Sequence, residues 1–235
     1  VKHKLYIFDV DGTLTPSRGR MDSKFSAYFE QFATHNNVYM ITGSDREKTI
    51  EQVGEVIYNL CGRVYNCSGN HVFEQDREIY KTEWKLPDGA AFWLLDKLDN
   101  SKFYRKTGRH LEERPGMVNF SIVGRNCNLE ERAMYKQWDE HKNERRIIAE
   151  EFNSRFPDIE ALVAGETGLD IFPRGSNKGQ IWDDIKMFDV HFFGDKMDEG
   201  GNDYPLAVKN IYGSNHHVDC WKHTFKILER LSHES

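Results

Sequence analysis

The chain has 235 residues, 38% of them hydrophobic, with 32 Lys+Arg against 38 Asp+Glu and a formal net charge of −6. That is enough apolar material for one large domain or a core with an inserted module, whereas the negative charge argues against a nucleic-acid or membrane surface, since both polyanions would repel it. Cys61, Cys67, Cys127 and Cys220 form no C-x-x-C pair and read as free thiols of a reducing compartment; no signal-peptide core and no apolar run near the ~18 residues of a membrane span is present, so a cytoplasmic location is the expectation.

In chain order, the stretch 4–10 opens with the apolar run Leu5-Tyr-Ile-Phe8, the pattern of a buried parallel strand, and Gly12 with Thr13 breaks it. Further strands are predicted at 38–42 and 63–67, alternating with helices over 22–34 and 45–60, which reads as β-α-β. From about residue 80 the character changes. Met117 to Val123 alternates apolar and polar, predicting an antiparallel strand with one face exposed. Asn128-Leu-Glu-Glu131 opens a helix with a capping box, Glu150 to Ser154 continues that helical region, and Ala161 to Ile171 reads as strand. After 185 the first pattern returns, with strands Asp189 to Phe193 and Asn210 to Tyr212 and a helix near 218–231. The expected organisation is a core of 1–79 and 175–235 with 80–174 inserted as an α+β cap joined by two short hinges.

Asp9 and Asp11 follow the first strand, and in open α/β sheets ligands bind just past the carboxyl ends of the strands. The string D-x-D-G-T is expected by chance in well under ~1% of chains of this length, so an acidic turn is a poor account of it. A carboxylate can attack phosphorus and form an aspartyl-phosphate, the role expected of Asp9. Asp11, on the same side of an extended chain, would give a proton to the leaving oxygen and later take one from the acceptor. Two carboxylates facing a phosphate repel it, so a divalent cation is needed. Mg²⁺ is the best candidate, as a hard ion that takes oxygen ligands. Thr42 and Ser44, after the apolar run Val38 to Ile41, are candidate phosphate ligands at a helix start. Lys178, in Ser176-Asn-Lys-Gly179, is a candidate point charge for the nucleophile and the phosphoryl oxygens.

These residues resemble the haloacid-dehalogenase-like phosphotransferases. The segments TGSDREK (42–48), ERPGMVNFSIVGRNCNLEER (113–132), GLDIFPRGSNKG (168–179) and FFGDKMDEGGND (192–203) narrow the resemblance to the eukaryotic-type phosphomannomutases. It covers nearly the whole chain, is thinnest between about 80 and 112, and is most specific in the arginine-bearing block. It implies an α/β fold: a Rossmannoid core with a parallel sheet and an inserted α+β cap. It further implies interconversion of mannose 6-phosphate and mannose 1-phosphate, with a hexose 1,6-bisphosphate as activator or intermediate and a product feeding GDP-mannose synthesis.

The resemblance also implies that the Mg²⁺ ligands are the Asp9 side chain, the Asp11 backbone carbonyl and the Asp195 side chain, supported by Asn202 and Asp203. Arg114, Arg125 and Arg132, spaced by 11 and 7 residues, match arginines that clamp the phosphate at the far end of the hexose. Arg18 matches too, and Asp170 matches a sugar-hydroxyl ligand. Arginine suits the task because its planar fork bonds phosphate bidentately and is always charged.

The chain departs from the family at several positions. Gly168 stands where a sugar-binding serine is expected, Asn177 replaces an acidic residue, and Lys209 falls where an auxiliary cation site would have a carboxylate, so no second metal is expected there. The family's cap carries a dimer contact, so a homodimer through the cap is a candidate assembly; here the segment 81–112 is shorter and differently composed. A Mg-dependent sugar-phosphate phosphatase on the same scaffold is the nearest rival reading, and a catalytically silent sugar-phosphate sensor a third. Trp84 and Phe92 to Leu95 are expected to serve cap packing or a subunit interface. His216-His217 reads as a polar loop, and Glu140 to Arg146 as a solvated helix face.

Overall fold

The computed structural model describes residues 2–233. In chain order the first part consists of β1 (Lys4–Phe8), α1 (Ser23–His35), β2 (Val38–Ile41), α2 (Arg46–Val53), α3 (Glu55–Leu60), β3 (Arg63–Asn66), β4 (His71–Glu74) and β5 (Arg77–Lys81). The middle holds α4 (Asp88–Asn100), β6 (Leu111–Arg114), β7 (Met117–Phe120), α5 (Leu129–Lys142), α6 (Glu144–Arg155), β8 (Ile159–Ala164) and β9 (Gly168–Pro173). The chain ends with α7 (Trp182–Ile185), β10 (Asp189–Gly194), α8 (Tyr204–Ala207), β11 (Ser214–His217) and α9 (Trp221–His233). No helix among the described residues is long and apolar enough to cross a membrane.

Two sheets organise these elements. The larger has the order β11-β10-β1-β2-β3-β4-β5, with β1 central and parallel to both β10 and β2, and with β4 and β5 added antiparallel. Successive residues of β1 feed different cores, as the two-residue period of a strand requires: Tyr6 and Phe8 pack with Phe25, Phe29, Ile57 and Leu228, while Leu5 and Ile7 pack with Ile181, Ile185 and Leu206. A strand buried on both faces is a continuous apolar run, which is why this element was visible in the sequence. The chain is mixed α/β with a parallel core sheet, as expected. β5 carries that sheet to Lys81.

The smaller sheet is antiparallel, β6-β7-β9-β8. Helices α4, α5 and α6 cover one face through Leu94, Tyr135, Ile148 and Phe152, against Phe120, Ala161, Leu169 and Ile171. The expectation that one face of the strand at 117–123 lies open to solvent is corrected here, since all four residues of β7 are buried. Met117, on the face away from the helices, packs with Leu162, Phe172 and Cys67, the last from the loop after β3. Alternation reports that one face is apolar, but not what covers the other.

Other local corrections have identifiable causes. The helix expected over 45–60 divides at Gly54, whose φ of +86° ends α2. The strand expected over 161–171 is two strands of a hairpin turning at Gly165. The last strand is Ser214–His217 instead of Asn210 to Tyr212, and His216 lies in it, stacked on Phe193 at 4.2 Å between ring centroids. Asn143, in the left-handed conformation, separates α5 from α6. Arg145 is buried rather than solvated: it pairs with Asp139 at 2.8 Å and donates to the carbonyls of Ala164, Gly165 and Gly168, holding the β8–β9 turn. The capping box at Asn128 and Glu131 forms as expected.

Candidate active site

Asp9 and Asp11 leave β1 at its carboxyl end and line one cleft together with Arg18, Thr42, Ser44, Arg114, Arg125, Arg132 and Asp170. The cleft lies between the carboxyl edge of the large sheet and the face of the small sheet that its helices do not cover. Contacts from both sides close it. Arg114 Nη1 donates to the Gly43 carbonyl at 2.5 Å, Arg18 Nη1 to the Arg125 carbonyl at 3.2 Å, and Arg132 Nη2 to Ser17 Oγ at 3.0 Å. The loop after β10 joins by main-chain bonds, Val163 N–H to the Gly200 carbonyl and Asn202 N–H to the Val163 carbonyl.

One end of the cleft is densely charged. Lys178 begins a 3-10 turn (Lys178–Ile181) started by Asn177, whose Oδ1 accepts from the Gly179 N–H. Its ammonium is fully buried and lies 2.6 Å from both Asp9 Oδ1 and Asp203 Oδ1. Burial alone would push the ammonium pKa down, but Asp203 and Asp9 outweigh it and raise it. Lys209 Nζ donates to the Gly179 carbonyl next door at 2.9 Å. Burial, then the repulsion of Asp203 and Asp195, raises the Asp9 carboxyl well above the usual range despite Lys178. The Asp11 carboxylate is held apart from this group, accepting from the Arg18 N–H at 2.6 Å, Gln52 Nε2 at 2.9 Å and Ser44 Oγ at 3.4 Å.

Oxygens of Asp9, Asp195 and Asp203 lie within 4.8 Å of one another. Asp195 Oδ1 is buried with no hydrogen-bond partner, and burial raises the Asp195 carboxyl too. Asp9 and Asp203 are buried and Asp195 half-buried, its Oδ2 paired with Lys196 Nζ at 2.5 Å; three converging carboxylates with Asp195 Oδ1 left unpaired suit a hard divalent cation. Both oxygens of Asp203 are engaged by the protein, Oδ1 by Lys178 Nζ at 2.6 Å and Oδ2 by the Lys196 N–H at 3.0 Å. Gly12 has φ +79°, and a Cβ there would come within 2.7 Å of Asp195 Oδ2, so the turn after Asp11 needs glycine for both reasons.

Thr42 and Ser44 bracket Gly43 just before α2, whose N-cap is Asp45. Thr42 Oγ1 accepts the Ser44 N–H at 3.1 Å, and two N–H groups from the loop after β3 hold this turn, Cys67 to the Ser44 carbonyl and Ser68 to the Thr42 carbonyl. Both donors have positive φ, +50° and +59°.

The small sheet supplies the far end. Arg114 ends β6, Arg125 follows β7, and Arg132 lies in the first turns of α5, buried and donating to Thr167 Oγ1 at 3.2 Å. Arg132 therefore faces the cleft although its helix is highly charged. Burial, with Arg125 and Arg132 nearby, lowers Arg18 to about 10. Burial and Arg114 lower Arg125 as well. Asp170 is buried on β9, accepting from Asn119 Nδ2 at 2.9 Å and Asn202 Nδ2 at 3.4 Å.

Glu112, Asn119, Gln52 and Glu166 were not picked out from the sequence. Glu112 bridges Arg114 and Arg125, at 2.6 and 2.9 Å. Burial alone would raise its carboxyl, but the two guanidiniums hold it down at about 2. Its position two residues before Arg114 on a strand was the available signal, since i and i+2 share a face. Glu166 lies 3.5 Å from Arg132 and 3.2 Å from Lys136.

The chain matches the family model for eukaryotic phosphomannomutase over residues 25–234. It is 31% identical to a phosphomannomutase of Arabidopsis thaliana over 210 residues, covering 85% of each chain. It is 32% identical to that of Encephalitozoon cuniculi over 223 residues, covering 89% of this chain and 86% of the relative. Among solved structures it resembles a haloacid dehalogenase-like hydrolase from Bacteroides thetaiotaomicron, with TM-score 0.58, 13% identity and coverage of 98% of this chain and 100% of the other. It also resembles the N-terminally truncated IMP-nucleotidase of Plasmodium falciparum, with TM-score 0.65, 15% identity and coverage of 100% and 71%. At such identity these two bear on the fold alone, which is haloacid-dehalogenase-like. On the family match and the relatives' identity and coverage, the chain belongs to the eukaryotic phosphomannomutase family and is an enzyme of that type.

Proposed function

We propose that the enzyme interconverts mannose 6-phosphate and mannose 1-phosphate through an aspartyl-phosphate on Asp9 and a hexose 1,6-bisphosphate, feeding GDP-mannose synthesis. The observation that carries this reading is the two-ended cleft, with carboxylates and Lys178 at one end and Arg18, Arg114, Arg125 and Arg132 at the other. A hydrolase needs only the first end; a mutase must also hold a phosphate that does not react. The core is 1–79 with 175–235, extended to Lys81 by β5, and the remainder up to 174 is the cap that closes over substrate.

Lys178 engages Asp9 Oδ1, which leaves Oδ2 to attack phosphorus. Asp11 protonates the leaving sugar oxygen, giving up its bond from Ser44 as that oxygen arrives, and takes the proton back from the acceptor hydroxyl. Thr42, Ser44 and Lys178 hold the oxygens of the transferring group. Asp9, Asp195 and the Asp11 carbonyl, with Asp203 adjoining, would hold Mg²⁺, which supplies neutralisation of the facing anions. Asp170 receives sugar hydroxyls. The cap excludes water from the aspartyl-phosphate and opens for the bisphosphate to turn end for end. We place the enzyme in the cytoplasm as a homodimer through the cap, with no nucleic-acid or membrane partner; Phe92, 71% exposed on α4, supports the dimer.

The experiment supplies mannose 1-phosphate, Mg²⁺ and catalytic glucose 1,6-bisphosphate and follows mannose 6-phosphate alongside inorganic phosphate. Mannose 6-phosphate in large excess is expected. Free phosphate as the main product would replace the mutase reading by the phosphatase one.

A further inference from the structure

Asn119 on β7 pairs in register with Asp170 on β9, and both ends of its amide are engaged. Oδ1 accepts from Arg125 Nη1 at 3.0 Å, and Nδ2 donates to Asp170 Oδ1 at 2.9 Å. The side chain is 4% exposed and faces the cleft. Gly168 stands two residues before Asp170 on β9. A Cβ there would lie 2.7 Å from Asn119 Nδ2 and 3.0 Å from Oδ1. Gly168 is not among the residues with positive φ, so its backbone does not call for glycine, and the missing side chain matters only as space. Asn119 is short and fixed at both ends, so it cannot yield to an added methyl group without releasing one of its bonds.

We propose that Asn119 is a substrate-positioning residue coupling Arg125, which binds the unreactive phosphate, to Asp170, which binds the sugar, and that position 168 is glycine to leave this amide its place. The inference rests on the mutase reading for the roles of Arg125 and Asp170. An amide fits because it offers an acceptor to a guanidinium and a donor to a carboxylate at once. With this link the phosphate clamp and the sugar ligand hold one geometry. Without it Asp170 loses its shorter hydrogen bond, and Arg125 loses the only bond that orients Nη1 among the described residues.

The test is a double-mutant cycle of N119A, G168A and N119A/G168A, measuring KM and kcat for mannose 1-phosphate and the melting temperature of each variant. N119A is expected to raise KM about 10-fold or more with kcat within about three-fold, the size of a lost charge-assisted hydrogen bond. G168A is expected to raise KM in the wild-type background and to add nothing in the N119A background. An unchanged KM in N119A overturns the coupling, and an equal G168A effect in both backgrounds overturns the account of Gly168. If the wild type turns over no hexose phosphate, the mutase reading fails separately and the cycle is decided on stability: G168A must lower the melting temperature only when Asn119 is present, and equal drops in both backgrounds overturn the proposal.

Discussion

Replacing Glu112 by alanine leaves two guanidiniums facing each other without their shared carboxylate. Glu112 Oε1 accepts from Arg114 Nε at 2.8 Å and Nη2 at 2.6 Å, and Oε2 from Arg125 Nε at 2.9 Å. The Glu112 side chain is 20% exposed, against 7% for Arg114 and 14% for Arg125. Removing one partner of a fully buried pair costs ~3–5 kcal/mol and of an exposed pair ~0–1 kcal/mol, so a mostly buried carboxylate serving two arginines should be worth about 2–3 kcal/mol. For a chain of this size that lowers the melting temperature by roughly 4–12 °C. Arg125 also loses the anchor of its Nε, so KM for mannose 1-phosphate should rise about 10-fold. The effect has a defined pH window. The Glu112 carboxyl is held at about 2 against an ordinary 4.5, so its stabilisation is complete above pH 4.5 and is lost as pH falls through about 2. Urea unfolding of wild type and E112A should therefore differ most above pH 4.5 and converge in acid. A variant that melts within about 1 °C of wild type at neutral pH with unchanged KM would refute the reasoning.

Two further predictions concern the scaffold. The His216 ring stacks on Phe193 and His191, and burial, then His191, pushes it down to about 4, so it is neutral in the folded protein. Its contribution is complete above pH 6.5 and is lost as pH falls from there toward 4; H216F, which keeps a stacked ring without a proton site, should flatten the loss of stability across that interval, and parallel wild-type and variant curves would contradict this. Ser68 has φ +59° and a buried hydroxyl without a partner, so S68G should remove strain and an unpaired polar group while keeping the Ser68 N–H to Thr42 bond. After the entropy cost of glycine, a net gain of about 1 kcal/mol, or roughly 2–4 °C in melting temperature, is expected, and a lower melting temperature would count against the strain account.

The sequence by itself determined the features that depend on neighbours along the chain. A strand buried on both faces must be continuously apolar, so Leu5 to Phe8 announced β1 and placed Asp9 and Asp11 at its carboxyl end. A capping box needs only three residues of separation, so Asn128 and Glu131 could be read directly. The arginines at 114, 125 and 132 were recognisable by spacing and by family resemblance, without any knowledge of what each one touches. What touches what was decided by the tertiary structure. Lys178 meets Asp9 across 169 residues of sequence, and Arg114 meets Gly43 across 71. Glu112, Asn119 and Arg145 look like surface residues in the sequence, because a polar side chain on a strand or helix carries no local mark of the element that folds over it. Glu112 and Asn119 find their partners on the face of the small sheet that packs toward the large one, and Arg145 finds its own in Asp139 and the β8–β9 turn, so long-range packing sets what each of them touches.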